Sequence, residues 1–252
     1  MSHREHPSYF VILGIQRTGS NLLRTLLASH PEAAVYGEVF MDGGCWFEVD
    51  GLPPNAPEVI AERDADPLAF AEKYVFRPHP EHIRAVGFKL FYPQALQNDA
   101  ALWSWLDQRE DVTVLHLRRR NAFRQYVSHL VAESTGMWRT YADGRKPMPL
   151  DEVRLTVDPA DCEQMMTRVD ELGAAALARL PSRPVMELTY EGLCEDPDGV
   201  LGSVQQSLGL EPQPLTTTLT RQVTRPLRQL IENYDETARH FASTRWAECF
   251  DE

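Results

Sequence analysis

A loop bounded by two glycines near the start of the chain has the composition of an anion-binding site. Gly14 and Gly19 are five positions apart, between the apolar run of residues 9–13 and a segment with helical spacing that begins at Ser20. A strand, a glycine-bounded loop and a helix in this order direct backbone N–H groups and the helix N-terminus towards a phosphate-like group. We therefore predict a phosphate-binding loop at residues 14–21.

The same loop lacks the lysine that a Mg²⁺-nucleotide site uses. A P-loop NTPase carries Lys and then Ser or Thr after its second glycine. This chain has Ser20 and Asn21 in those positions, and Arg17 is the only basic residue between the two glycines. The loop suits a phosphate-like ligand, but it is not evidently built for a Mg²⁺-bound triphosphate.

A second candidate anion site follows the apolar run of residues 112–117. That run leads directly into Arg118, Arg119 and Arg120, and a segment with helical spacing comes next. Arginines at the end of a strand and the start of a helix are well placed for an anion. Ser128 lies eight residues after Arg120, about two helical turns, so its hydroxyl can return to the same site. Arg120 has this spacing, and Arg119 is the alternative.

Apolar runs that alternate with helical patterns predict how these residues are positioned. The predicted strands cover residues 9–13, 85–91, 112–117 and 184–188. The predicted helices cover residues 20–29, 67–75, 95–108, 121–133, 161–180, 198–208 and 239–248. This alternation is typical of an α/β fold, and with the loop it predicts a P-loop-like three-layer α/β/α arrangement with a central parallel sheet. We expect a single domain over residues 1–252, with loop or lid insertions at 43–66 and 137–159.

Composition narrows the classes of partner and location. The formal net charge of −12 argues against a broad surface for nucleic acid or anionic lipid, so we predict no nucleic-acid partner and no membrane insertion. The cysteines, Cys45, Cys162, Cys194 and Cys249, have no metal-ligand spacing. We therefore expect reduced thiols, no metal site and a cytoplasmic location. His116 lies within an apolar strand and is interpreted as a core residue.

Two segments carry a resemblance to a known family. GIQRTGSNLL and LRRRNAFRQYVS resemble, in order and spacing, the 5′-phosphosulfate loop and the Arg…Ser 3′-phosphate motif of the sulfotransferases. The form of the loop is most similar to that of the bacterial trehalose-type and other carbohydrate sulfotransferases. Further similarity lies in the blocks SHPEAAVYGEVF, VGFKLFYPQ, LTYEGLCEDP and RPLRQLIENYDE, so the resemblance covers most of the chain.

The resemblance implies a donor, a product and an acceptor. The donor is 3′-phosphoadenosine 5′-phosphosulfate (PAPS), which becomes 3′-phosphoadenosine 5′-phosphate (PAP), and no metal is needed. The acceptor is a hydroxyl or amine of a small molecule or carbohydrate, and a homodimer is compatible with the family. The residues assigned to the donor are Arg17, Thr18, Gly19, Ser20, Asn21, Arg120, Ser128, Tyr190, Thr224 and Arg225. The loop residues correspond to the 5′-phosphosulfate motif, Arg120 and Ser128 to the 3′-phosphate motif, and Tyr190 to an adenine contact.

Three residues are the candidates for catalysis. In the family a carboxylate at the position of Glu38 commonly removes the acceptor proton, and Arg17 and Lys89 are suited to stabilising charge on the sulfuryl and leaving groups. A surface carboxylate at Glu38 and a strand-end lysine that extends to solvent at Lys89 are the alternatives left open. The rival functions are a P-loop small-molecule kinase and a nucleotide-binding module without catalysis.

Overall fold

The computed structural model describes residues 6–45, 53–94, 100–140 and 153–250. Its centre is a five-stranded parallel sheet in the order β2-β3-β1-β4-β5. The strands are β1 Ser8–Gly14, β2 Ala33–Glu38, β3 Ala85–Phe91, β4 Val112–Arg118 and β5 Val185–Thr189. The predicted parallel α/β fold is confirmed.

The inner strands are apolar along their whole length because both of their faces are covered. Every residue of β1 and β3 is buried, as is typical of parallel strands between two layers of helices. In the register of β1 and β3, Ile12 pairs with Lys89 and Gly14 with Phe91. Their carboxyl ends therefore reach the same edge of the sheet, where the phosphate loop begins.

Ten α-helices are present in the described residues. They are α1 Ser20–Ala28, α2 Pro57–Ala65, α3 Pro67–Phe70, α4 Ala100–Gln108, α5 Ala122–Thr135, α6 Pro159–Leu177, α7 Tyr190–Glu195, α8 Pro197–Ser207, α9 Leu227–Leu230 and α10 Tyr234–Phe241. A π-helical turn, Ala71–Val75, continues α3, and a 3₁₀ turn forms at Ala247–Phe250. Across the described ranges, no helix combines the length and apolar character that crossing a membrane requires.

The chain divides into two compact units. The first contains Met1–Arg118 and Leu172–Thr217 and carries the sheet, and the second contains Arg119–Glu171 and Thr218–Glu252. Within the first unit, apolar residues of β1, β4 and β5 pack against α1, α7 and α8. Within the second, apolar residues of α5, α6, α9 and α10 form a core of their own. The single-domain organisation stays a prediction.

Most predicted elements are confirmed, and the main exceptions have local causes. Strand β2 was not predicted, because its apolar stretch, residues 33–36, is short and begins with two alanines, which are depleted in strands. Helix α2 lies in the predicted loop 43–66, where Pro57 at the first helical position favours a helix start. The predicted helix 239–248 is wrong: Thr244 Oγ1 donates to Phe241 O (2.9 Å) and accepts from Trp246 N (3.1 Å), which ends α10 at Phe241.

Parts of three predicted segments lie outside the described residues. They are residues 95–99 of the predicted helix 95–108, residues 46–52 of the insertion 43–66 and residues 141–152 of the insertion 137–159. Among the described residues of the insertion 137–159, Leu155 forms an isolated parallel bridge with Ile231 within the second unit.

Replacing Gly87 by alanine is expected to lower the free energy of unfolding by about 1–3 kcal/mol, the usual cost of overpacking a core. A Cβ at Gly87 would lie 2.4 Å from Cε2 of the fully buried Phe10 ring. Urea unfolding measures the effect. The matched control is Gly202→Ala in α8, where no atom lies within 4 Å of the new Cβ. The control is expected to raise stability by about 0.5–1 kcal/mol, and an equal gain for Gly87→Ala would contradict this account of the packing.

Candidate functional site

The phosphate loop turns through two left-handed residues. Strand β1 ends at Gly14, Arg17 has φ 68° and Gly19 has φ 88°. Gly19 is the N-cap of α1 and has no side chain, so it cannot cap the first amides of the helix. The first turn of α1 contains no acidic residue. An anion can therefore approach these N–H groups and the positive end of the helix dipole.

Close packing requires a glycine at both ends of the loop. A Cβ at Gly14 would lie 2.8 Å from the backbone oxygen of Leu117, and a Cβ at Gly19 would lie 2.6 Å from Cδ2 of Tyr190. The structure thus brings Tyr190, at the start of α7, against the loop. Thr18 is 1% exposed, and its hydroxyl donates to Ile15 O at 2.8 Å. Since that hydrogen is used inside the loop, the backbone N–H is what Thr18 can offer to a ligand.

The structure places Glu38, Lys89 and Asn21 in direct contact. Lys89 Nζ donates to Asn21 Oδ1 at 2.9 Å and to Glu38 Oε1 at 3.0 Å. Glu38 and Lys89 are partners at the adjacent ends of β2 and β3, and Asn21 belongs to the first turn of α1. The phosphate loop, which contains Arg17, and the other two candidate catalytic residues, Glu38 and Lys89, therefore share one edge of the sheet.

Lys89 is a buried cation. Its side chain is 1% exposed and that of Glu38 is 15% exposed, and Nζ lies 4.7 Å from the centre of the Phe91 ring. The alternative in which Lys89 extends to solvent is wrong. A buried ammonium needs compensation by an opposite charge and by hydrogen-bond acceptors, which Glu38 and Asn21 supply. In chemical terms, the pair combines a carboxylate that can accept a proton with a cation that can stabilise negative charge.

A buried polar chain lies beneath the start of the loop. Tyr92 N donates to Gly14 O at 2.9 Å, and Tyr92 Oη lies 2.7 Å from Nε2 of His116. On the other side of the ring, His116 Nδ1 lies 2.8 Å from Glu187 Oε1, and Arg118 Nε lies 3.3 Å from Glu187 Oε2. A neutral ring with hydrogen on Nδ1 satisfies both contacts, since Nε2 then accepts from the tyrosine hydroxyl.

The interpretation of His116 as a core residue is confirmed, since it is 2% exposed. Burial lowers the pKa of His116, Glu187 opposes this shift, and the charge of Arg118 adds to it. Sequence reasoning missed the partners. The register that pairs His116 of β4 with Glu187 of β5 is fixed by the tertiary structure and cannot be seen in either segment alone.

The other proposed donor residues lie in the second unit. Asn121 caps α5 by accepting from Arg124 N at 2.7 Å, and its amide donates to Cys249 O at 2.8 Å. Arg120 precedes this cap and is exposed, whereas Ser128 is buried within α5. Thr224 is exposed, and Arg225 Nη2 donates to Gln229 O at 2.7 Å. Within the described ranges, no group of three or more His, Cys, Asp or Glu side chains is arranged to hold a metal ion.

Comparisons with known proteins find a matching family model and two relatives that align over nearly the whole chain. The family model described as Stf0 sulphotransferase matches residues 87–237. The chain is 27% identical over 249 residues to Nodulation protein H of Rhizobium meliloti (strain 1021), covering 97% of this chain and 96% of that protein. It is also 27% identical over 248 residues to Nodulation protein H of Rhizobium tropici, with 97% and 94% coverage.

A solved structure shares the fold. The sulfotransferase from Alicyclobacillus acidocaldarius matches with a TM-score of 0.50 and 18% sequence identity, covering 95% of this chain and 92% of that one. At this level of identity the likeness concerns the fold alone. Its agreement with the five-stranded parallel sheet supports the P-loop-like architecture.

The lowered pKa of His116 predicts a loss of stability in mild acid. When the pH falls below about 6.5, the ordinary pKa of histidine, the side chain of His116 takes up a proton in the unfolded chain before it does so in the folded chain. The free energy of unfolding should therefore fall as the pH falls from there through the lower folded pKa, by at most about 1.4 kcal/mol per pH unit for one proton. Urea unfolding between pH 8 and pH 5 should show a shallower slope for His116→Gln than for the wild type. His82→Gln, at an exposed histidine, should keep the wild-type slope, and equal slopes for all three proteins would contradict the assignment.

Proposed function

We propose a sulfuryl-transfer reaction for this chain, because the chain belongs to the Stf0 sulphotransferase family. The donor is PAPS, and the acceptor is a hydroxyl or amine of a small molecule or carbohydrate. The observation that carries the proposal is the cluster of Lys89, Glu38 and Asn21 beside the phosphate loop. It puts a proton acceptor and a buried cation next to a site suited to the phosphosulfate.

The residues assigned to the donor fall into groups for its 5′-phosphosulfate, its 3′-phosphate and its adenosine in this proposal. The backbone N–H groups of Thr18–Asn21 and the Arg17 guanidinium hold the 5′-phosphosulfate, as suits an anion at a helix N-terminus. Arg120 and Ser128 hold the 3′-phosphate. Tyr190, whose ring packs against Gly19, contacts the adenine. Thr224 and Arg225 close over the nucleotide.

The reaction is an in-line displacement at sulfur. The acceptor oxygen or nitrogen forms a bond to sulfur while the bond between sulfur and the bridging phosphate oxygen breaks, and PAP leaves with that oxygen. Glu38 takes the acceptor proton. Arg17 and Lys89 stabilise the negative charge that grows on the sulfuryl oxygens and on the leaving oxygen. Since the donor has no β,γ-phosphate bridge, the step does not call for the Mg²⁺ that a P-loop kinase uses.

A carbohydrate acceptor, a cytoplasmic location and a homodimer complete the proposal. The first follows from the similarity of the loop to carbohydrate sulfotransferases, and the second from the scattered cysteines. The kinase and the inactive nucleotide-binding module remain the rivals, and each predicts a different binding or turnover result.

Calorimetric titration should show that PAP binds without Mg²⁺ and that ATP binds more weakly. Arg17→Ala and Arg120→Ala should each weaken PAP binding by roughly tenfold or more, because each removes a charge-assisted contact to an anion. Arg84→Ala is the matched control, since Arg84 is exposed and directly precedes the amino end of β3. A Mg²⁺-dependent preference for ATP would favour the kinase. If neither PAP nor ATP binds, both the sulfotransferase and the kinase are rejected.

Glu38→Gln should lower the turnover number by about 10²–10⁴-fold, the usual contribution of a general base. Its affinity for PAP should stay within about twofold of the wild type, because Glu38 is not assigned to the donor. Release of PAP from PAPS is followed with a disaccharide, an amino sugar and an aromatic alcohol as acceptors. Glu58→Gln, at an exposed glutamate of α2, is the control. Undiminished turnover in Glu38→Gln would reject the base, and PAP binding without transfer to any acceptor would favour the inactive module.

A further inference from the structure

Arg63 of α2 directs a buried guanidinium at three backbone carbonyls. The residue is 3% exposed. Its Nη1 donates to Val39 O and Met41 O, both at 2.9 Å, and to Gly44 O. Its Nε and Nη2 donate to Asp64 Oδ1 at 2.9 Å and 2.6 Å. We call Arg63 and these three carbonyls the Arg63 bracket.

Burying the charged side chain of Arg63 has a desolvation cost that an apolar side chain does not have. Asp64 is 55% exposed, so it offsets only part of the cost of burying the charge of Arg63. The three carbonyl dipoles supply the rest, and they share the two hydrogens of the one nitrogen Nη1. An apolar side chain would fill the same volume at lower cost. What the arginine adds is a defined path for the backbone of residues 39–44.

That backbone directly follows Glu38. Strand β2 ends at Glu38, and its pairing with β3 shifts register between Val35 and Glu38. The regular ladder is interrupted at residues 36 and 37, and it resumes at Glu38, which pairs with Lys89. Val39, the next residue, is fully buried, and its carbonyl is the first that Arg63 holds. Glu38 is thus directly followed by the backbone that the bracket holds.

The far end of the segment is also fixed. Gly44 N donates to Met41 O at 3.0 Å, which closes a turn. Cys45, which is fully buried, is held by Asn55: Cys45 N donates to Asn55 Oδ1 at 2.6 Å, and Asn55 N donates to Cys45 O at 2.9 Å. The segment of residues 39–44 is therefore held by Arg63 from Val39 onwards and is followed by Cys45, which Asn55 holds.

We propose that Arg63 is a positioning residue that sets the Glu38 carboxylate against Lys89 through the backbone of residues 39–44. The inference rests on the proposed function, in which Glu38 takes the acceptor proton. Arg63 itself touches neither donor nor acceptor and transfers no group. Lysine does not reproduce this arrangement, because it lacks the Nε and Nη2 donors to Asp64 and the planar geometry that fixes the direction of Nη1.

The first test measures the contact between Glu38 and Lys89 without any ligand. Urea unfolding of Glu38→Met, Lys89→Met and the double variant yields the coupling between the two side chains. In the wild-type chain this coupling should be about tenfold or more in the unfolding equilibrium constant. In the Arg63→Lys chain it should fall below about threefold, since Glu38 is no longer held against Lys89.

A matched arginine controls for general loosening of the fold. Arg183 Nη1 also donates to a backbone carbonyl, Arg109 O at 2.8 Å, before the amino end of β4. Arg183→Lys should leave the coupling unchanged. The proposal is overturned if Arg63→Lys keeps the full coupling, or if Arg183→Lys loses it equally. Arg63→Gln is the second variant in case Arg63→Lys does not fold, and if both fail to fold, the arginine is a requirement of the fold and the positioning role is rejected.

The second test separates this inference from the proposed function. With PAPS as donor and trehalose as the acceptor probe, Arg63→Lys should lower the turnover number by about tenfold and leave PAP affinity within about twofold, because misplacing a reacting group costs rate rather than donor binding. In the Glu38→Gln chain, Arg63→Lys should cause no further loss, whereas an independent structural role would multiply the two effects. A parallel loss of PAP affinity would overturn the positioning role. If the wild type does not bind PAP, the proposed function fails. The double-mutant cycle measured by urea unfolding still decides whether Arg63 positions Glu38 against Lys89.

Discussion

The buried ammonium of Lys89 is the constraint around which the functional edge of the sheet is organised. A cation at 1% exposure is tolerated only where acceptors and an opposite charge surround it. Glu38 from β2 and Asn21 from α1 meet that need. One charge therefore connects β2 and β3 with the helix that follows the glycine-bounded loop, and Glu38 lies beside that helix as a result.

The phosphate loop depends on a different constraint, which is lack of space. Leu117 O leaves no room for a side chain at Gly14, and the Tyr190 ring leaves none at Gly19. The left-handed conformation of Gly19 adds a second reason for glycine there. Because β4 and α7 press on the loop from the rest of the fold, its amides are held in place before any ligand arrives, which is how preorganised anion sites gain affinity.

Buried polar groups recur in the first unit, and each one fixes the course of the backbone. His116 links Tyr92, whose amide bonds to Gly14, with Glu187 of β5. Arg63 gathers the carbonyls that follow Glu38. Apolar contacts alone leave several nearly equivalent packings, whereas a satisfied polar network accepts only one. The same networks are costly to disturb, so they are suitable devices for holding catalytic groups to within fractions of an ångström.

The amino-acid sequence by itself determined the parallel α/β fold, most of the strands and helices, and the glycine-bounded loop between β1 and α1. These features follow from spacing within short segments: apolar runs, helical periodicity and the separation of Gly14 and Gly19. It also indicated Glu38 and Lys89 as candidates, through a family resemblance. Only the tertiary structure decided that Lys89 is buried against Glu38 and that Arg63 binds the backbone after β2. Those contacts join segments far apart in the chain, and hydrophobic periodicity shows which face of an element is buried but not which polar group it will meet there.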